Sequence, residues 1–321
     1  MALCSHYSKK RFSGAKIRFS RSSATEKEAS TKKSSGSGRR VPAFLRNLRP
    51  EMRKSLLKYI LWLMLPGMAA PLQAQTDSLR TVRYTHLFGV GGVNFLDTYL
   101  SPLEYTGWQV STLHTTERAL HPSSCWTLAA RYGGDLGHAL SPTEDGKYWD
   151  ANAYAAVQFR RHWKPMETLA LEGGPMGELF LGGTYSQRNG NNPAQGRFGA
   201  QVGLSGQAAY VFRLWHRQWR AVATLDVPLI GAAFTPAYGQ SYYEIFGLGH
   251  KDRNVRCTWI GNAPSALLTA QLEIPMGGTA LIVGYQADVR QYNLAGLKRH
   301  SWGNRFVIGW TRRLCIIKDK R

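Results

Sequence analysis

Apolar and polar residues alternate with a period of two along most of the chain from residue 84 onward. The segment 197–214 is the plainest example: apolar or small residues occupy every even position, and polar residues or glycines occupy most odd positions. This period predicts a β-strand with two unlike faces, because a helix of the same sequence would present polar groups on every side. At this length the strand is also longer than most strands of soluble domains.

The same alternation marks nine further segments, which we also predict to be strands: 84–95, 107–117, 125–135, 148–161, 167–185, 219–227, 265–274, 280–291 and 302–313. An even number of long antiparallel strands with alternating polarity is typical of bacterial outer-membrane barrels. We therefore predict an all-β fold, a single antiparallel transmembrane β-barrel of about ten strands. The domain of residues 75–321 would form this barrel.

The links between the predicted strands differ in length in a regular way. We predict short turns at 162–166, 215–218 and 275–279, and long loops at 96–106, 136–147, 186–196, 228–264 and 292–301. If the N-terminus is periplasmic, every long loop lies outside the cell and every short turn lies inside, as in known outer-membrane barrels. Within the longest loop, the aromatic segment 234–262 has two interpretations, a cap over the barrel mouth or a recognition loop.

Aromatic residues recur near the ends of the predicted strands, on their apolar faces. Amphipathic rings favour the membrane–water interface, so we interpret these residues as aromatic girdles, although each of them is also compatible with an ordinary protein core. They are Trp108, Trp126, Trp149, Phe198, Phe212, Trp219, Trp302 and Trp310.

Residues 52–74 have the pattern of a signal peptide. Arg53, Lys54 and Lys58 give a positive start, an apolar stretch follows, and a cleavage site is predicted between Ala74 and Gln75. The apolar stretch is shorter than the roughly 20 residues that a transmembrane helix needs, which disfavours the alternative of a membrane anchor. Together with the predicted barrel, this signal peptide predicts export to the outer membrane of a Gram-negative bacterium.

The basic character of the chain is concentrated ahead of the predicted barrel. The formal net charge is +21, and residues 1–51 alone hold 13 Lys/Arg and 3 Asp/Glu. Such a composition predicts a disordered basic leader. Because signal peptides act at the N-terminus, we predict that the native start is Met52 and that the leader is a mis-assigned upstream sequence. The alternative, a nucleic-acid-binding arm, suits basic tails but has little use in an exported chain.

The segment 88–110, FGVGGVNFLDTYLSPLEYTGWQV, carries a family resemblance. Its matching residues are Asn94, Leu96, Asp97, Thr98, Tyr99, Leu100, Ser101, Pro102, Tyr105 and Gly107. It resembles the start of DUF3316, a Bacteroidetes family of predicted outer-membrane barrels, and the likeness extends loosely over 84–314. The resemblance implies a barrel of no established activity. One departure is the end of the chain, where Leu314 and CIIKDKR replace the terminal aromatic that many such barrels carry.

The polar faces of the strands carry the candidate functional residues, which the alternation places towards the lumen. The charges are balanced, seven acids and seven bases: Arg131, Asp135, Asp150, Arg160, Glu172, Glu178, Arg197, Arg213, Arg220, Asp226, Glu273, Asp288, Arg290 and Arg305. A selective pore usually carries rings of one sign, whereas balanced charges pair with one another across a narrow lumen. We therefore predict a filled, salt-bridged interior, with a narrow pore as the alternative.

No catalytic, cofactor or metal site is predicted. The histidines are scattered, no G-x-S-x-G motif is present, and no Cys/His cluster has the spacing of zinc ligands. The predicted function is thus a structural or narrow-pore barrel, and the alternative is an outer-membrane enzyme (a hydrolase or acyltransferase) or a surface barrel that binds lipid or glycan. The predicted partners are outer-membrane lipid and, during biogenesis, the barrel-assembly machinery. No nucleic-acid partner is predicted, and the sequence leaves the oligomeric state open.

Overall fold

A computed structural model describes the backbone of residues 80–316, apart from 122–123, 189, 191–192 and 251–252. The predicted leader, the signal peptide and its cleavage site at Ala74 and Gln75 lie outside the described residues. Within the described part of the chain, no helix is long and apolar enough to cross a membrane.

The described chain consists of eleven strands and one short helix. In chain order they are β1 (Arg80–Asp97), β2 (Ser101–Ala119), β3 (Trp126–Leu140), β4 (Lys147–Met166), β5 (Leu169–Ser186), β6 (Ala194–Leu214), β7 (Arg217–Phe234), α1 (Tyr242–Phe246), β8 (Val255–Trp259), β9 (Ser265–Met276), β10 (Thr279–Leu294) and β11 (Leu297–Ile316).

Each strand pairs antiparallel with its neighbours, and β1 pairs with β11 to close the sheet into a barrel. The short strand β8 pairs with the last residues of β7, while β9 pairs with the earlier part of β7. The two strands therefore share one position in the wall, and the barrel has ten positions. The prediction of an all-β fold, a single antiparallel barrel of about ten strands, is confirmed.

Burial follows the alternation that the sequence predicts. In β6, Arg197, Ser205 and Gln207 are buried, while Val202 and Leu204 are exposed. Buried polar residues and exposed apolar residues are the reverse of the usual arrangement in a water-soluble domain. The polar face is enclosed by the barrel, and the apolar face forms its outer surface.

The links divide into two sets, one at each end of the barrel. We call the end with 120–125, 167–168, 215–216 and 277–278 the turn end, and the end with 98–100, 141–146, 187–193, 235–264 and 295–296 the loop end. The predicted long loops at 96–106 and 292–301 are wrong, because the strands continue into both segments. Ala295 and Gly296 both have positive φ, and a two-residue turn of this kind matches the twist of the paired strands.

The segment 235–264 covers part of the loop end, and α1 lies within it. The helix begins with a capping box formed by Ser241 and Glu244. Tyr242 accepts a hydrogen bond from the backbone N–H of Gly196 at 2.5 Å, and the Tyr99 hydroxyl donates to the carbonyl of Gln240 at 2.9 Å. Burial raises the pKa of Tyr99 to about 12. These contacts favour a cap over the barrel mouth.

Candidate functional site

The charged side chains inside the barrel form three layers along its axis. The central layer contains Arg131, Asp135, Glu178, Asp226, Asp288, Arg290 and Arg305. The loop-end layer contains Asp97, Asp150, Arg197 and Arg299. The turn-end layer contains Arg83, Glu117, Arg160, Glu172, Arg220 and Glu273.

The central layer crosses the lumen. Arg131 on β3 forms a salt bridge with Asp226 on β7, although three strands separate these two in the barrel wall. Arg131 also lies 3.5 Å from Glu178 on β5, and Glu178 lies 3.3 Å from Arg290 on β10. Because the partners stand on distant walls, their side chains occupy the space through which a solute would have to pass.

The remaining members of the central layer extend this network around the wall. Arg290 lies 3.0 Å from Asp288, which lies 2.9 Å from Arg305. Arg305 is fully buried and reaches Asp135 at 3.8 Å. The Arg290 guanidinium also lies over the ring of Tyr154 on β4, 4.9 Å from its centre. Each of these charges therefore faces opposite charge in the buried interior, where an unpaired charge would be costly.

The loop-end layer surrounds Asp150, which is completely buried. Its carboxylate accepts from Arg197 on β6 at 2.6 Å, lies 3.4 Å from Arg299 on β11, and also bonds the Thr184 hydroxyl. Asp97 on β1 lies 3.9 Å from the same Arg197, which comes from the far wall of the barrel. This layer has two acids and two bases, so it is neutral when all of them are ionised.

The turn-end layer is built around two buried centres. Arg160 on β4 is bonded to Glu117 on β2 and lies 3.3 Å from Glu172 on β5. Glu273 on β9 accepts from Arg83 at 3.0 Å and from Arg220 at 2.8 Å. Thus the positive charge of Arg160 is shared by two carboxylates, and the negative charge of Glu273 is shared by two guanidiniums.

Of the fourteen charges predicted from the sequence, thirteen belong to these layers. Arg213 does not belong to them: its side chain is exposed near the turn end, because β6 continues past the packed interior before it turns. Four further charges of these layers were not among those predicted from the sequence: Arg83, Asp97, Glu117 and Arg299. Asp97 and Arg299 lie in segments that were predicted to be loops. Both continue the alternation of β1 and β11 on the inward-facing side, and this continued alternation is the signal that could have identified them.

The free space inside the barrel is unevenly distributed. A void of about 40 Å³ is lined in part by Arg131, Gln158 and Arg160, and another of about 60 Å³ by Arg290 and Arg299. A buried water needs about 10–15 Å³ of such volume, so each void has room for a few waters. A much larger cavity of about 620 Å³ lies at the turn end. Among the described residues, no group of three or more His, Cys, Asp or Glu side chains is placed to hold a metal.

The sequence profile of the family described as protein of unknown function (DUF3316) matches residues 56–321 of the chain. The chain belongs to the DUF3316 family. Among curated proteins, none matches the DUF3316 chain significantly.

Solved structures similar to this DUF3316 barrel include outer-membrane proteins, with TM-scores below 0.5. The outer membrane protease OmpT from Escherichia coli has a TM-score of 0.44 at 8% identity, with 77% of this chain and 100% of that chain covered. The translocator domain of the autotransporter NalP from Neisseria meningitidis has a TM-score of 0.35 at 13% identity, covering 82% and 95%. The COG4313 outer membrane channel from Pseudomonas putida F1 has a TM-score of 0.34 at 8% identity, covering 77% and 100%.

Proposed function

We propose that this protein is a closed barrel of the Gram-negative outer membrane, whose paired interior charges block the passage of solutes. Its role in the membrane is then structural, and it acts without a catalytic centre. The single observation that carries the proposal is the salt bridge between Arg131 and Asp226 across the lumen, together with the network that continues from it.

The outer surface supports a location in the membrane. Leu179, Val202 and Leu204 are each more than half exposed on the wall of the barrel. An apolar band of this kind would be unstable in water but matches the lipid-facing band of outer-membrane barrels. Trp126, Phe198 and other rings near the strand ends lie on the same outer surface, where an interface would place aromatic residues.

The mixed charges of the central layer support a blocked lumen more strongly than a narrow pore. A pore of defined selectivity needs a continuous path, and its constriction usually carries charges of one sign. Here the central layer combines both signs at the middle of the barrel, and the voids beside it have room for a few waters.

We also infer from the sequence that the segment 52–74 directs export of the chain, and that the source of the chain belongs to the Bacteroidetes.

A solute-swelling measurement on proteoliposomes tests the proposal. We expect vesicles that contain the refolded barrel to swell in small sugars at the rate of vesicles without protein, because no open path crosses the central layer. A general porin in the same vesicles serves as the positive control. Rapid swelling with this barrel in pentose or hexose solutions would exclude a closed lumen and favour the narrow-pore alternative.

The orientation of the barrel in the outer membrane gives a second prediction. Short turns of such barrels face the periplasm, so the loop end should face outward. We expect an epitope inserted after Arg188, in the link 187–193, to be labelled by antibody on intact cells. The same epitope inserted after Trp215, in the link 215–216, should be labelled only after the outer membrane is permeabilised. The reverse labelling pattern would place the turn end at the cell surface and contradict the proposed topology.

A further inference from the structure

The cavity of about 620 Å³ at the turn end is a basin with a strongly basic lining. It is bounded by the start of β1, the end of β11, the first residues of β7 and the turn that follows β9. Its charged residues are Arg83, Arg217, Arg220, Arg313 and Glu273. The volume lies within the range of about 300–1,000 Å³ that is usual for small-molecule sites.

The charges of this basin do not balance. Among the described residues that line it, Glu273 alone carries a carboxylate, and this carboxylate is already shared by the guanidiniums of Arg83 and Arg220. Arg217 donates a long hydrogen bond of 3.4 Å to the backbone carbonyl of Pro275. Within the described residues, neither Arg217 nor Arg313 forms a salt bridge with a carboxylate, and this contrasts with the paired charges deeper in the barrel.

The strand register adds to this excess of positive charge. Arg83 and Arg313 are direct cross-strand partners, with Glu117 opposite Arg83 on its other side. Glu117 is bonded to Arg160, which it shares with Glu172. Like charges directly opposite each other on one face of a sheet are destabilising, so an anion in the basin would relieve a repulsion that is built into the fold.

The shape of the basin leaves the guanidiniums accessible. Gly277 and Gly278 form the turn at its rim, and a Cβ on either would meet no atom within 4 Å. Both Arg217 and Arg313 are exposed to this space. A guanidinium can donate two parallel hydrogen bonds to the oxygens of one phosphate group. Several guanidiniums around one space therefore favour a ligand with more than one negative charge.

We propose that this basin is a binding site for a phosphate-bearing ligand, held by Arg217 and Arg313 with Arg83 and Arg220 behind them. The same chemistry is present in a soluble phosphate compound and in the headgroup of a phospholipid in the adjacent leaflet. The site is separate from the central layer, so its occupancy does not depend on whether the lumen is closed.

Titration calorimetry with inorganic pyrophosphate tests this site on the full barrel, folded in an uncharged detergent at low salt. We expect saturable binding by the native protein, and a loss of affinity of about tenfold or more in the double variant Arg217→Gln/Arg313→Gln. Both side chains are exposed at strand ends, so the variant should fold. As a matched control, Arg188→Gln removes an exposed arginine at the opposite end and should leave the affinity unchanged.

Two results would overturn the proposal: no saturable binding of pyrophosphate by the folded native protein, or equal affinity for the native protein and the double variant. A second arm separates the two sources of phosphate. In the same uncharged detergent, the pyrophosphate titration is repeated with a short-chain phosphatidylglycerol dissolved below its micelle concentration, and separately with glycerol 3-phosphate. Weaker pyrophosphate binding in the presence of the short-chain lipid alone supports a lipid headgroup as the native ligand, whereas weaker binding in the presence of glycerol 3-phosphate alone supports a soluble one.

Discussion

Arg131→Leu is expected to destabilise the folded barrel by about 3–5 kcal/mol, the usual effect of removing one partner of a buried ion pair. The side chain of Arg131 is only 5% exposed and compensates both Asp226 and Glu178. After the substitution, Asp226 keeps its hydrogen bond from Gln158 at 3.1 Å but loses its bonded cation. The measurement is denaturant unfolding of the barrel in lipid vesicles, followed by tryptophan fluorescence and by heat-modifiable gel mobility.

A second arginine provides the matched control for this variant. Arg188 also forms a salt bridge, with Asp145 at 2.8 Å, but its side chain is 57% exposed at the loop end. Exposed ion pairs contribute between zero and about 1 kcal/mol, so Arg188→Leu should change the unfolding free energy by no more than that. Equal destabilisation by the two substitutions would show that Arg131 lies in a solvated channel.

Leu204→Arg is expected to lower the stability of the membrane-inserted barrel by about 2–4 kcal/mol, the cost of an arginine on the lipid face at the bilayer midplane. Leu204 lies at the middle of β6, with 54% of its surface exposed on the outer wall. The measurement is the fraction of heat-modifiable, folded protein in the membrane, together with its unfolding free energy in vesicles.

Leu214→Arg is the control for the lipid-facing variant. Leu214 lies on the same side of β6 as Leu204, but it is the last residue of that strand, at the turn end. Near the interface the cost of an arginine falls to about 0–1 kcal/mol, so this variant should fold almost as well as the native chain. A larger loss for Leu214→Arg than for Leu204→Arg would contradict a bilayer centred on the middle of the strands.

The sequence predicts the wall of this barrel well because a period of two fixes which face each residue joins. In β6 and β9 the alternation places Leu204 and Leu268 outward and Ser205 and Thr269 inward, and the burial of these residues agrees. The ends of the strands were less predictable. Segments such as 96–106 contain turn-forming and polar residues that resemble loops, yet they continue the ladder when a neighbouring strand supplies partners.

The partners of the interior charges could not be predicted from the sequence. The alternation identifies Arg131, Glu178 and Asp226 as residues of the polar face, but their pairing depends on the closure and stagger of the whole barrel. Arg131 and Asp226 are far apart in sequence and are not cross-strand neighbours. Their contact exists only because ten strands enclose a lumen narrow enough for side chains from opposite walls to meet.

A double-mutant cycle on Arg131 and Asp226 tests most directly the claim that ion pairs cross and fill the lumen. The unfolding free energies of Arg131→Leu, Asp226→Leu and the double variant are compared with that of the native chain. Removing both charges leaves no unpaired partner, so we expect the double variant to be more stable than the sum of the single effects predicts, by about 1–3 kcal/mol. Additivity of the two effects within about 0.5 kcal/mol would mean that the side chains do not interact across the lumen, and would contradict the account.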